Sequence, residues 1–221
     1  MSVTHPSSTW ALVPLKSGEH AKSRLASVLS APQRSRLFFA MAQRVLQALR
    51  DCSGIEKVFV ATASPRVASF AAQLGACPIL QSTEIGMSFA LSSALRRDEF
   101  SQPRRVLMLP GDLPLISPAA LTEILETSES GIVVVPDRQR IGTNALLCSP
   151  PRALTPDFGG HSFDRHLARA AAAGVKATVL ESPALSLDLD CPADLDILRC
   201  SDAAQLLDVL DAEETSIALT E

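Results

Sequence analysis

Three acidic residues stand among apolar neighbours, where a carboxylate is costly to bury without a partner. Asp112 follows the apolar run 106–109 through a Pro-Gly turn, and Asp188 and Asp190 alternate with leucines in segment 185–190. An acid just past the C-terminal end of a buried strand lies where open α/β sheets bind ligands. Two interpretations of Asp112 stay open: a metal-binding carboxylate at a nucleotide site, and a turn residue hydrogen-bonded to its own backbone.

The pair Asp188 and Asp190 has a spacing that lets both side chains reach one point. Residues two apart in an extended segment point to the same side. Pro192 then begins a predicted helix, so an alternative role for Asp190 is to cap that helix, which leaves Asp188 unexplained. If the sheet brings the pair near Asp112, the three form an all-oxygen site suited to Mg²⁺ bound together with substrate phosphates.

Three cations, Lys16, Lys22 and Arg24, fall within nine residues directly after the first predicted strand, 10–15. Gly18 in the same loop allows a close approach to the backbone. Because the loop leaves the C-terminal end of a strand, we predict that it binds phosphate; a solvated basic loop is the alternative. The pattern GxxxxGK[ST] is absent, which excludes a P-loop.

Two further loops precede predicted helices and offer backbone N–H groups. Segment 158–162 holds two glycines and Ser162 before a helix predicted at 164–173. This arrangement is typical of an anion site at the positive end of a helix, to which Arg165 and His166 would add donors. A flexible loop with a serine cap is the alternative. The segment Gly86-Met-Ser88 opens another helix, and two interpretations stay open for it as well: binding a ligand through its backbone N–H groups, and local capping of the helix.

The candidate site residues can act together only if the fold brings the C-terminal ends of their strands to one edge of a sheet. Strands alternate with amphipathic helices through most of the chain, as in the stripe Leu37, Met41, Val45 and Leu49 of one helix. That alternation predicts a three-layer α/β fold with a mostly parallel sheet. The predicted strands are 10–15, 55–61, 78–80, 106–109, 132–135, 144–148 and 175–180.

Composition excludes several classes of protein. The 221 residues are 47% hydrophobic, enough for one core. A net charge of −4 with one Trp and no Tyr argues against nucleic-acid binding. No apolar run approaches the ~20 residues that cross a membrane, and no signal peptide pattern opens the chain, so we expect a cytoplasmic protein without a membrane partner. The cysteine and histidine spacings fit no zinc site.

No linker divides the chain into two domains. We expect residues 1–9 to be a disordered N-terminus, residues 10–200 to form one domain, and residues 201–221 to be an acidic helix and tail. Leu206, Leu207 and Leu210 in that last segment would pack on the chain's own domain or on a partner. A homodimer therefore stays open.

Five short motifs then occur in order along the chain: Val13-Pro14-Leu15-Lys16 with Ala21-Lys22-Ser23-Arg24-Leu25; Leu109-Pro110-Gly111-Asp112-Leu113-Pro114; Gly142-Thr143-Asn144-Ala145-Leu146; Phe158-Gly159 with Ser162-Phe163; and Leu187-Asp188-Leu189-Asp190 with Pro192 and Asp194-Leu195. Each is weak alone. Together they span about residues 10–198, and this set resembles the 2-phospho-L-lactate guanylyltransferase family of coenzyme F-420 biosynthesis.

The resemblance implies a Rossmann-like nucleotidyltransferase fold of the nucleotide-diphospho-sugar transferase type. It implies that GTP is joined to a small phosphorylated carboxylic acid of three carbons (2-phospho-L-lactate, phosphoenolpyruvate or 3-phospho-D-glycerate), with release of pyrophosphate. It also implies residue roles: Mg²⁺ on Asp112, Asp188 and Asp190; nucleotide contacts from Lys16, Lys22, Arg24, Gly86 and Ser88; catalytic roles for Lys16, Lys22, Arg24 and Asp112; and acid binding by Thr143, Gly159 and Ser162.

Two positions depart from the family pattern: Ser88 stands where Gly-Leu-Asn is usual, and His161 where a second Gly is usual. A bulky side chain at 161 would influence which acid fits. Two other functions stay open: another Mg²⁺-dependent nucleotidyltransferase of the same fold, and a nucleotide-binding regulator without turnover. The single Gly in segment 14–18 disfavours the first, and the full set of three acids and three cations disfavours the second.

Overall fold

The computed structural model of the chain describes residues 8–18, 22–83 and 86–211. Within these ranges strands and helices alternate as predicted. The strands are β1 (Thr9–Pro14), β2 (Lys57–Thr62), β3 (Cys77–Leu80), β4 (Arg105–Met108), β5 (Gly131–Pro136), β6 (Thr143–Ser149) and β7 (Ala177–Val179). The α-helices are α1 (Ala31–Asp51), α2 (Pro65–Gln73), α3 (Met87–Leu95), α4 (Pro118–Thr127), α5 (Ser162–Ala172), α6 (Pro183–Ser186) and α7 (Pro192–Arg199), and 3-10 helices span Ser23–Leu25, Asp98–Ser101 and Ala204–Leu210.

The strands form one sheet in the order β3-β2-β1-β4-β6-β5-β7. Neighbours are parallel except at β6, which runs antiparallel to both β4 and β5. The predicted mostly parallel sheet is therefore confirmed. Because β6 is reversed, its first residue, Thr143, lies at the same edge as the C-terminal ends of β4 and β5. That edge also receives the loop after the central strand β1.

Apolar layers cover both faces of the sheet, with α1, α2 and α4 on one face and α3 and α5 on the other. The predicted stripe of α1 is confirmed, since Leu37, Met41, Val45 and Leu49 are all fully buried. Val45 and Leu49 pack on the sheet, whereas Leu37 and Met41 pack against Leu189. Helix α1 therefore ties the sheet to the segment that carries Asp188 and Asp190.

Serine caps and prolines set the starts of three helices. Ser30 caps α1 in a box with Gln33, and Ser64 and Ser117 accept from backbone N–H groups at the starts of α2 and α4. Two boundaries differ from prediction. Helix α5 begins at Ser162 rather than at 164, because left-handed His161 is its N-cap. Strand β7 is only Ala177–Val179, because Val175 N–H instead closes α5 on Ala170.

The C-terminal 3-10 helix packs on the chain's own α1. Arg36 Nε donates to the Val209 carbonyl at 2.8 Å, and Gln33 Nε2 donates to the Leu210 carbonyl at 3.1 Å. Residues 1–7 and 212–221, which belong to the predicted terminal segments, lie outside the described residues. Nowhere in the described ranges is a helix both long enough and apolar enough to cross a membrane.

Candidate active site

A cavity of about 450 Å³ opens at the edge of the sheet where β4 and β5 end and β6 begins. Its lining includes these residues predicted from the sequence: Arg24, Asp112, Thr143, Gly159, Ser162, Asp188 and Asp190. Lys22 lies directly behind two of the acids. Lys16 lies to one side, in the lining of a smaller pocket described below, and Gly86 and Ser88 flank Met87, which lines both spaces. Segments far apart in the chain therefore meet at one place.

The three acids form what we call the carboxylate cluster: Asp112, Asp188 and Asp190. Lys22 Nζ donates to Asp112 Oδ2 and, at 2.9 Å, to Asp190 Oδ1. Since one nitrogen contacts both carboxylates, their oxygens lie within ~6 Å of each other, twice a hydrogen-bond length. The backbone joins the same segments, because Leu189 N–H donates to the Asp112 carbonyl at 3.2 Å.

Charge compensation differs among the members of this site. Burial lowers the pKa of Lys22, but Asp112 and Asp190 outweigh burial and leave the pKa above its ordinary value. Burial likewise raises the pKa of Asp190, yet Lys22, Arg24 and Lys16 together lower it. Lys22 and Asp190 are therefore ionised near neutral pH. Arg24, 76% exposed and 3.4 Å from Asp190, is free to turn toward a ligand.

Asp188 is the acid with the least compensation. Asn144 Nδ2 donates to its Oδ1 at 3.4 Å and to the Ser186 carbonyl at 2.9 Å. Burial, followed by the charges of Asp112 and Asp190, raises the pKa of Asp188 to about 6. The ionised form of Asp188 is therefore disfavoured by burial and by two neighbouring negative charges, and a bound divalent cation would stabilise it.

The donor set fits Mg²⁺. Asp112 Oδ1 is buried and has no hydrogen-bond partner among the described residues, an arrangement that is costly unless a ligand reaches the oxygen. Carboxylate oxygens together with substrate phosphates are the usual ligands of Mg²⁺. As the described side chains lie, no group of three or more His, Cys, Asp or Glu residues closes around a metal position. The Lys22 ammonium occupies the space between Asp112 and Asp190, so binding requires that ammonium to move.

Two alternatives from the sequence are wrong. Asp190 does not cap α7, because the N-cap is Cys191 and the Asp194 carboxylate accepts from Asp190 N–H at 2.9 Å and Cys191 N–H at 2.8 Å. Nor does the Asp112 carboxylate bond its own turn, since Oδ2 accepts from Lys22 and Oδ1 is unpaired within the described part of the chain. Both side chains are thereby left to the cavity.

A smaller pocket lies beside the cavity, at the C-terminal ends of β1, β2 and β3. Lys16, Thr62 and Gln81 line it, and Met87 lines both spaces. Gly86 is the N-cap of α3. Ser88 Oγ donates to the Phe158 carbonyl at 3.0 Å, so the hydroxyl hydrogen joins α3 to the loop before α5.

The other end of the cavity holds what we call the hydroxyl corner: Thr143, Ser162 and His166. Ser162 is fully buried, and its hydroxyl has no partner in the described ranges although it lines the cavity. Gly159, with φ +120°, takes a backbone conformation that other residues rarely adopt. The exposed His161 has φ +59°, a left-handed conformation that glycine adopts without steric cost.

The two donors expected at the start of α5 are engaged elsewhere. Arg165 Nε donates to Asp157 Oδ2 at 2.8 Å, and this bond is the main reason why the pKa of Asp157 is low. His166 is fully buried behind Thr143, and burial lowers its pKa to about 4. Neither side chain is therefore presented to an anion in the way the sequence suggested.

Sequence reasoning assigned no role to three supporting residues: Asp137, Asn144 and Asp194. Asp137 accepts from Ile141 N–H at 2.9 Å and Gly142 N–H at 2.7 Å, which shapes the loop before Thr143. Asp194 follows the N-cap by three residues, a capping-box spacing that the sequence does display. Asn144 lies within a strand and carries no local signal of its role.

Curated relatives of this chain are named as guanylyltransferases. Two relatives are named phosphoenolpyruvate guanylyltransferase: one from Rubrobacter xylanophilus, 42% identical over 90% of this chain and 97% of its own length, and one from Conexibacter woesei, 40% identical over 87% of each chain. A relative from Methanothermobacter thermautotrophicus, 33% identical over 85% of this chain and 82% of its own, is named 2-phospho-L-lactate guanylyltransferase.

Among solved structures, one from Desulfovibrio desulfuricans G20, described as a nucleotide-diphospho-sugar transferase, superposes with a TM-score of 0.72 over 92% of this chain and 95% of that chain, at 16% identity. This similarity confirms the predicted fold type. The model of the family described as "Guanylyl transferase CofC like" matches residues 9–205, which include every residue of the cavity. This chain therefore belongs to the CofC-like guanylyl transferase family.

Proposed function

We propose that this chain is a Mg²⁺-dependent guanylyltransferase of coenzyme F-420 biosynthesis, which joins GTP to a small phosphorylated three-carbon acid and releases pyrophosphate. One observation carries the proposal: the carboxylates of Asp112, Asp188 and Asp190 converge beside cations of the loop after β1, at the mouth of a cavity. Membership of a guanylyl transferase family supports the reaction class.

The reaction needs no general base from the protein. An oxygen of the acid's phosphate attacks the α-phosphorus of GTP, and the bond from that phosphorus to the bridging oxygen of the β-phosphate breaks. A phosphate monoester has its second pKa at about 6, so the nucleophile is ionised near neutral pH. His166 is buried and both of its ring nitrogens have hydrogen-bond partners, which is consistent with a reaction that uses no histidine as a general base.

The difficulty lies in bringing two polyanions together, and the residues of the site address it by positioning and charge. Lys16, Lys22 and Arg24 would contact the nucleotide phosphates and steady the leaving pyrophosphate. The hydroxyls of Thr143 and Ser162, with the backbone of Gly159, would hold the acid. Mg²⁺, held by the carboxylate cluster, would supply positive charge shared by both sets of phosphates.

Phosphoenolpyruvate is the acid we place first, because the relatives at 42% and 40% identity carry that name. The alternatives are 2-phospho-L-lactate, which the archaeal relative's name specifies, and 3-phospho-D-glycerate. The smaller pocket at the ends of β1 to β3 adjoins the cavity at Met87. It would receive the nucleoside, while the cavity receives the phosphates and the acid.

Pyrophosphate release tests the proposal directly. The assay combines GTP with each of the three acids and with a sugar phosphate, with Mg²⁺ or with a chelator, and repeats the set with ATP, CTP and UTP. We expect release that requires GTP, Mg²⁺ and one preferred acid. Release with a sugar phosphate instead would indicate the other nucleotidyltransferase, and GTP binding without release from any acid would indicate the regulator.

A further inference from the structure

The buried His166 has a proton arrangement that its neighbours determine. Asp157 N–H points at Nε2, with a nitrogen–nitrogen distance of 2.9 Å. A backbone N–H only donates, so Nε2 must accept and carries no hydrogen. A neutral imidazole with a bare Nε2 carries its hydrogen on Nδ1.

The second ring nitrogen then fixes the role of the Thr143 hydroxyl. His166 Nδ1 lies 3.0 Å from Thr143 Oγ1. Since Nδ1 carries the hydrogen, it donates and Oγ1 accepts. The hydrogen of the hydroxyl must therefore point elsewhere, and no other described residue forms a hydrogen bond with it. Thr143 lines the cavity, which leaves the cavity as the place to which it donates.

The surroundings of the ring keep it neutral. His166 is fully buried and packs edge-on against Phe158, with ring centroids 5.4 Å apart. Burial is the main reason why its pKa falls to about 4; Asp157 opposes that shift, whereas Arg165 and Arg169 add to it. Near neutral pH the Nδ1–H tautomer is thus the only form that satisfies both partners.

We propose that His166 is a positioning residue: by donating to Thr143 Oγ1, it makes the Thr143 hydroxyl an obligate donor to an anionic oxygen of the acid substrate. This inference rests on the proposed function, because it assigns the acid to the cavity. A hydroxyl that was free to accept would serve a neutral OH group equally well. A hydroxyl that can only donate favours an ionised carboxylate or phosphate oxygen.

Two substitutions of His166 separate its two hydrogen bonds. His166→Asn keeps an N–H donor near the Nδ1 position and loses the acceptor for Asp157 N–H. His166→Gln keeps an acceptor near the Nε2 position and loses the donor to Thr143. If His166 only anchors the loop at Asp157, His166→Asn is the damaging change. If it orients Thr143, His166→Gln is.

Steady-state kinetics with phosphoenolpyruvate and GTP gives the test. We expect His166→Gln to raise KM for the acid roughly 10-fold, the loss of one oriented bond to a charged group, with KM for GTP unchanged. His166→Asn should stay within about twofold of wild type by the same reasoning. In a Thr143→Val background the His166→Gln effect should vanish. The opposite order of the two variants, or an effect that persists without the Thr143 hydroxyl, would overturn the proposal.

A second measurement keeps the proposal testable even if both variants fail to fold. Nitrogen-15 NMR of wild-type histidines should show one buried ring protonated at Nδ1 and bare at Nε2 throughout pH 6–8 (a range above the pKa of about 4). The reverse tautomer would overturn the inference. If the wild-type protein turns over no acid at all, the proposed function fails, and this role fails with it. If turnover occurs and His166→Gln matches wild type, only the role of His166 fails.

Discussion

The carboxylate cluster lines one end of the cavity and the hydroxyl corner lies at the other, with His166 behind Thr143, but different forces hold the two sets in place. In the cluster the partners are charged, and the shared cation, Lys22, precedes a short 3-10 helix in the loop after β1. In the corner the partners are neutral, and Thr143 and His166 belong to β6 and α5. Asp112 and Asp190 have side chains 25% and 43% exposed, whereas Ser162 and His166 are fully buried.

This difference shows which half of the site can adapt. Asp112 and Asp190 are partly exposed, so an arriving cation can reach them and replace Lys22, whose own side chain is 7% exposed, as their partner. Neutral bonds between buried groups do not exchange in this way, and they orient hydroxyls before the substrate arrives. We therefore regard the carboxylate cluster as the adaptable half of the site and the hydroxyl corner as the preorganised half.

Asp112→Ala should have the largest effect, because it removes the acid whose buried Oδ1 has no partner among the residues that the structure describes. We expect kcat to fall more than ~100-fold, since even residues that only support a metal ligand are worth ~10–100-fold. The fold should persist, which circular dichroism would show. Asp196→Ala, at an exposed acid whose partner is Arg199, is the matched control. Near-wild-type pyrophosphate release from Asp112→Ala would end the metal proposal.

Lys22→Met tests whether the cluster is adaptable. Without the ammonium, three carboxylates remain close together, and the free energy of unfolding should fall by roughly 1–3 kcal/mol after allowance for solvent screening. Added Mg²⁺ should restore more stability in this variant than in wild type, because the ion no longer competes with Lys22 for Asp112 and Asp190.

Thermal unfolding of Lys22→Met with and without Mg²⁺ measures both effects. Arg24→Met, which changes a side chain 76% exposed that pairs with Asp190 and with no other acid among the described residues, should alter stability by less. An equal response of wild type and Lys22→Met to Mg²⁺ would mean that the ion and the ammonium do not share a position, and the proposed site would then have to lie elsewhere.

The hydroxyl corner predicts a pH effect on stability instead. His166 has a folded-state pKa of about 4, below the ordinary 6.5, so the unfolded chain takes up a proton first as the pH falls. The contribution of neutral His166 to the free energy of unfolding is fully present above pH 6.5 and is lost progressively toward pH 4. The amount lost by pH 5 is about 2 kcal/mol. His166→Asn has no titrating group and should not show this loss. Urea unfolding of both proteins at pH 7.5 and pH 5 gives the difference, and parallel pH profiles would contradict it.

The sequence predicts the parts of this molecule that local patterns encode. Apolar runs define the strands, serine caps start α1, α2 and α4, and the period of four residues in α1 identifies its buried face. Asp112 is a candidate from the sequence because an acid just past the end of a buried strand lies where open α/β sheets bind ligands. Asp188 is a second candidate, because no cap explains it.

Contacts between distant segments were not predictable in this way. Lys22 meets Asp112 only because β1 and β4 pair in parallel and release their loops at one edge. Asn144 reads as an ordinary strand residue until the fold places β6, which runs antiparallel to β4, next to Asp188. His166 looks like any polar residue near a helix start. Its role depends on Asp157 and Thr143, and neither partner is apparent without the fold.

Ser162→Ala is the finest test of the comparison, because its stability effect is the smallest. The buried hydroxyl has no partner in the described part of the chain, so its removal should leave the free energy of unfolding unchanged or raise it by up to about 1 kcal/mol. KM for the acid should rise roughly 10-fold if that hydroxyl binds substrate. Ser201→Ala is the matched contrast, because Ser201 Oγ donates to the Leu198 carbonyl at 2.8 Å far from the cavity. Ser201→Ala should lower the free energy of unfolding and leave KM for the acid unchanged. If Ser162→Ala also lowers stability and leaves KM unchanged, the hydroxyl corner has a structural role only.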